Sequence, residues 1–117
     1  MKEFDIMVPG VLKKLHIGPH RKGYTYLKET LILINDGECK MMKEAYTILA
    51  RKYSTTENAI EVAVRRSIRE GIMECSSETK IEIFGYDVEV ENRSNRDYYQ
   101  AKEFIPYIVS YINDKLE

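Results

Sequence analysis

The sequence predicts an all-α domain, a compact bundle of about six helices that contains a helix-turn-helix. Three observations predict it. Apolar residues recur at three- and four-residue steps through most of the chain. Gly18-Pro19, Asn35-Asp36-Gly37 and Gly85 break those stretches where helices would stop. Tyr46 to Ile68, YTILARKYSTTENAIEVAVRRSI, reads as a short helix, a tight polar turn and a second helix with an arginine-bearing outer face.

The first helix is expected over Met7 to His16, with Val8, Val11, Leu12 and Leu15 on one side and Pro9 in its first turn. Arg21 to Asn35 follows, carrying Tyr24, Leu27, Leu31 and Ile34. The third, Met41 to Tyr53, has Met42, Ala45, Ile48, Leu49 and Lys52-Tyr53 marking one face. Thr56 is the expected N-cap of a fourth helix that ends near Gly71. A short fifth helix, Glu78 to Phe84, stops at Gly85. Beyond it Tyr86, Val88 and Val90 alternate with acidic residues, as in an extended arm or edge strand. The last helix carries Phe104, Ile108, Tyr111 and Ile112. Pro106 leaves two readings there, a start close to the proline or an earlier start kinked at it.

With 117 residues the chain makes one domain, 1–117, large enough to bury its own core. Its 44% hydrophobic and 32% charged residues suit a soluble globule. No apolar run is long enough for a transmembrane helix, and MKEFDIMVPG lacks the pattern of a signal peptide, so the expected location is the cytoplasm, at the nucleoid. Cys39 and Cys75 are far apart and read as reduced, semi-buried thiols, not metal ligands. His16 and His20 are four apart, but Gly18-Pro19 breaks any helix between them. No metal and no cofactor is expected, and no catalytic triad, phosphate loop or carboxylate pair suggests an enzyme or a small-molecule substrate.

The net charge of −1 argues against binding nucleic acid by bulk charge, so the distribution matters. Basic residues gather at Lys13, Lys14, Arg21, Lys22 and Lys28 and at Arg51, Lys52, Arg65, Arg66 and Arg69; acidic ones gather from Glu74 to Glu91. On a helical wheel, Ile60, Ala63, Val64, Ser67, Ile68 and Gly71 fall on one side of the fourth helix. The small Ala63 and Ser67 would allow close packing on the preceding helix. Asn58, Val62, Arg65 and Arg69 fall opposite, flanked by Ala59 and Arg66, with chemistry suited to base edges in a major groove. Arg51 and Lys52 would clamp phosphates. The alternative for this face is a solvated, salt-bridged strip, since Glu61 to Arg65 is the favourable i,i+4 order.

LHIGPHRKGYTYLKETL, the helix-turn-helix, IFGYDV and FIPYIVSYINDKL, in that order and spacing, resemble the C-terminal DNA-binding (effector) domain of the stage-zero sporulation protein A response regulator family. The matches include His20, Lys22, Gly23, Tyr24, Tyr26 and Leu27, then Tyr46, Ala50, Lys52, Tyr53, Thr55, Thr56, Glu61, Ala63, Arg65 and Ile68. The likeness spans residues 8 to 116, with the helix-turn-helix at 42–71. It implies a sequence-specific transcription regulator that binds double-stranded DNA, as tandem copies on its operator, and contacts RNA polymerase. It makes Arg65 the first choice for a base contact, with His20, Lys22 and Thr56 among the flanking contacts.

Two departures qualify the likeness. Ala59 and Val62 stand where the family carries arginine, so this chain's operator should differ. The segment before Met7 is too short for a receiver domain, and Met1 with its MKEFDI leader points to a complete small protein, an excised domain being the alternative. The competing function is a protein-interaction module or antagonist that keeps the fold with weak or no DNA binding.

Overall fold

The computed structural model describes the backbone of residues 2–88 and 94–117 and the side chains of 2–88 and 103–117. Among the described residues there are six helices: α1 (Glu3–Lys14), α2 (Tyr24–Asn35), α3 (Met42–Lys52), α4 (Glu57–Glu74), α5 (Ser77–Phe84) and α6 (Ser94–Leu116). Among the described residues there is no strand; Val88 is buried after a tight turn, its N–H donating to the Tyr86 carbonyl at 2.9 Å. Val90 of the expected arm, and the Tyr98 and Tyr99 side chains, lie outside the described residues.

One apolar core runs through the bundle, built from Phe4, Leu12, Leu27, Leu49, Ile68, Ile108 and their neighbours. α4 packs on α2, α3 and α6, while α6 also covers α1 and α5. Phe84 of α5 meets Phe104 of α6 with ring centroids 4.8 Å apart.

Three helices, α1, α2 and α4, have boundaries more than one residue from the sequence expectation, and α6 settles a choice the sequence left open. α1 begins at Glu3 because Phe4 is buried one turn before Val8; Pro9 therefore stands inside the helix, not in its first turn. α2 begins at Tyr24, because Arg21 to Gly23 forms a turn with the Arg21 N–H on the Gly18 carbonyl at 3.0 Å. α4 runs past Gly71 to Glu74 and buries Ile72. α6 takes the earlier of its two possible starts and passes through Pro106, whose neighbours Phe104, Ile105 and Ile108 are almost wholly buried. On α3 the buried face is Ala45, Tyr46, Leu49 and Ala50, and Ile48 is 42% exposed.

Two close approaches set the position of α4. A Cβ on Gly23 would stand 2.2 Å from the Ala63 carbonyl oxygen, and the Gly23 N–H donates to the buried Ser67 Oγ at 3.0 Å. A Cβ on Gly71 would stand 2.5 Å from the Leu15 carbonyl oxygen. The small residues of α4 thus admit the α1–α2 connection. Gly71 is in a helix interior because backbone must pass there, despite the propensity cost.

The linear separation of charge disappears in the fold. Arg21 bridges Glu70 at 3.0 Å and Glu74 at 2.9 Å, and Lys14 bridges Glu82 at 2.5 Å. Glu82 also accepts from the Tyr111 hydroxyl, so α1, α5 and α6 meet on one carboxylate.

Gly23→Ala should cost about 1–3 kcal/mol or more of folding stability, since the overlap is with backbone. Gly10→Ala, in the middle of exposed α1 surface with nothing within 4 Å of the new Cβ, should add about 0.5–1 kcal/mol. Urea unfolding of the two variants measures both. The Lys14 hydrogen bond, then that of Tyr111, holds the Glu82 carboxyl below its ordinary 4.5. Its contribution is therefore complete above pH 4.5 and is lost as pH falls through the lower folded value. Glu82→Gln should flatten that acid limb in a plot of urea midpoint against pH, by a small amount because the pair is exposed.

Candidate nucleic-acid interface

The helix-turn-helix is built by a specific stop and start. α3 ends at Lys52, and the chain reverses by placing Ser54 in the left-handed region at φ 52°. The Thr55 N–H then returns to the Ala50 carbonyl at 2.9 Å, and the Ser54 N–H reaches the Arg51 carbonyl at 3.4 Å. This is a Schellman closure, with serine at the position glycine usually takes. Two residues later Thr56 is extended and its Oγ1 accepts from the Ala59 N–H at 3.1 Å, capping α4 as the sequence indicated.

The inner face of α4 is Ile60, Val64, Ser67, Ile68, Gly71 and Ile72. Of the residues expected to contact bases, Asn58 is exposed and Val62 is half-buried. Arg65 stands at the flank: its side chain is 21% exposed and its Nη1 lies 3.5 Å from Glu61 Oε1, the i,i+4 pair. Arg65 and Asn58 line a groove of about 720 Å³ floored by Ile34, Met42, Tyr46 and Pro106. Arg69 is half-buried and engaged within the fold. Ala59 and Arg66 are exposed, and Arg66 has no ion-pair partner among the described residues.

The flanking set lies on two connections beside α4. Arg51, Lys52 and Thr56 are exposed at the α3–α4 junction. Lys52, however, is ion-paired with Glu29 of α2, and that hydrogen bond is the main reason its ammonium is held above its ordinary range. Glu29 also accepts from the Tyr53 hydroxyl, whose proton it retains to higher pH, and the Tyr53 ring packs edge-on to Tyr26 at 5.3 Å. Arg51 has no ion-pair partner among the described residues. His20 and Lys22 are exposed in the turn that Gly23 fastens against α4, so they stand beside its middle.

Asn58, Ala59 and Arg66 are exposed on α4, Arg51 at the α3–α4 junction, and His20 and Lys22 in the α1–α2 connection, where His20 shares a recess with Pro9, Lys13 and Glu74. Glu61 and Glu29 match two of the expected cations. The Glu61 pair is readable from spacing; the Lys52–Glu29 pair, 23 positions apart, has no local signal. No group of three histidine, cysteine or carboxylate side chains suited to a metal exists among the described residues. Cys39 and Cys75 are free and buried, and burial pushes both thiols up.

The family model described as sporulation initiation factor Spo0A C terminal matches residues 8–112 of the chain. No solved structure gives a significant match.

Thr56→Ala should cost about 0.5–2 kcal/mol and fray the first turn of α4, measurable as faster amide exchange at Asn58 and Ala59. Ser54→Gly should work the other way, raising the melting temperature by relieving the left-handed serine.

Proposed function

This chain belongs to the sporulation initiation factor Spo0A C-terminal family, which is a DNA-binding and not an enzymatic one, and we propose that it is a sequence-specific transcription regulator of that type. In this reading α4 lies in the major groove over residues 57–70, with Asn58, Val62, Arg65 and Arg69 toward base edges. Arg51, Lys52, Thr56, Ala59, Arg66, His20 and Lys22 lie toward the sugar-phosphate backbone. The observation that supports it most is the exposed start of α4. Its capped N-terminus offers the positive end of a helix dipole, Asn58 and Ala59 are exposed there, and Arg66 is exposed two turns on. Arg65 can take the two acceptors of guanine, Asn58 can pair with adenine, and Val62 can touch a thymine methyl.

Double-stranded DNA is the proposed partner and the nucleoid the proposed location. RNA polymerase and a tandem copy on the operator are the further partners the family likeness suggests. A second reading, an interaction module with weak DNA binding, is favoured by the Glu29 and Glu61 pairs and by the net charge of −1.

Selection of bound sequences from random duplex DNA decides between them. A defined motif should emerge, and Arg65→Ala and Arg66→Ala should each relax a position or weaken binding. A lost bidentate base contact should appear as about 1–3 kcal/mol. If no motif emerges at low salt, or both variants select the same motif with unchanged affinity, direct readout by α4 is wrong. Binding that depends on salt but not on sequence would mark a phosphate-only binder.

A further inference from the structure

We infer that Glu29 is an intramolecular brake on Lys52, lowering the affinity of the helix-turn-helix for polyanions; this rests on the reading that Lys52 faces phosphate. The pair differs from an ordinary surface salt bridge in how its carboxylate is held. One Glu29 oxygen takes the Lys52 ammonium and the other takes the Tyr53 hydroxyl. The Tyr53 ring is itself seated against Tyr26, 5.3 Å between centroids. Glu29 has a side chain only 20% exposed, whereas Lys52 is 57% exposed. The cation reaches into solvent, and the anion behind it is the less exposed partner and has a second hydrogen bond.

A phosphate that takes Lys52 must therefore compete with a carboxylate that a second hydrogen bond helps to hold in place. If it succeeds, Glu29 stays on the Tyr53 hydroxyl, close to the incoming anion and without its counter-charge. An exposed pair of this kind is worth about 0.2–1 kcal/mol, so the brake should be modest. Its sharper signature is in salt dependence. A lysine already neutralised by the protein adds little to counterion release, while a freed one adds about 0.9 to the slope of log K against log salt. Arg51, the preceding residue, is exposed and has no such carboxylate among the described residues.

Glu29→Gln removes the charge and keeps the shape, since its amide oxygen can still accept from Tyr53. We expect it to bind a duplex about two- to fivefold more tightly at low salt, with a salt slope steeper by about 0.9. Adding Lys52→Gln to Glu29→Gln should return both values toward those of the starting protein. Tyr53→Phe, which frees one carboxylate oxygen to turn to water, should give a smaller change in the same direction and guards against a folding defect in the first variant. Retention on heparin reads the same brake without requiring sequence-specific DNA binding. Later elution of Glu29→Gln, reversed by Lys52→Gln, supports the inference even if no duplex is bound, in which case only the DNA reading fails. Unchanged heparin elution and unchanged slope, in a variant with the native melting temperature, overturn it.

Discussion

The arrangement depends on a contact between backbone and backbone. The connection from α1 to α2 lies directly on α4, at Gly23 against Ala63 and Ser67, and at Gly71 against Leu15 and Ile17. No side chain fits in either place. Because α4 is held at two points two turns apart, its rotation about its own axis is fixed, and that rotation decides which residues face outward. The buried stripe of Ile60, Val64, Ile68 and Ile72 supplies the hydrophobic energy. It could tolerate a small twist; the glycine contacts cannot.

The same contact places the charges. Bringing residues 15–23 onto α4 sets Arg21 beside Glu70 and Glu74. Packing α2 against α3 sets Glu29 beside Lys52 and Tyr53. A chain that looks basic in one half and acidic in the other is, once folded, cross-linked between those halves. What an external anion meets is set by where the remaining cations lie, which matters more than the net charge.

Much of this was readable in order and not in detail. Thr56 as a cap, Gly85 as a stop and the inner stripe of α4 follow from local rules, because each signal and its effect lie within one or two turns. The start of α1 was not readable, since Phe4 counts as core only when α6 covers it. Gly71 was misread as a helix end for the same reason: a glycine that terminates and a glycine that admits another strand of backbone are identical in sequence. The proposed reading face shows the sharpest limit. The wheel placed Arg65 outward, but a flank position beside Glu61 and Pro106 draws it into a groove. Exposed Arg66, one residue on, has no such neighbour.

The two glycine contacts divide the surface of α4 into a frozen half and a free half. Change at Gly23, Ala63, Ser67 or Gly71 meets backbone, so substitution there is closed off by geometry. Change at Asn58, Ala59 or Arg66 meets mostly solvent, and the fold exerts little resistance to it. A domain built this way can acquire a new binding preference in single steps without first acquiring spare stability. Ala59, exposed on the first turn of α4, is a position that bears no weight in the core.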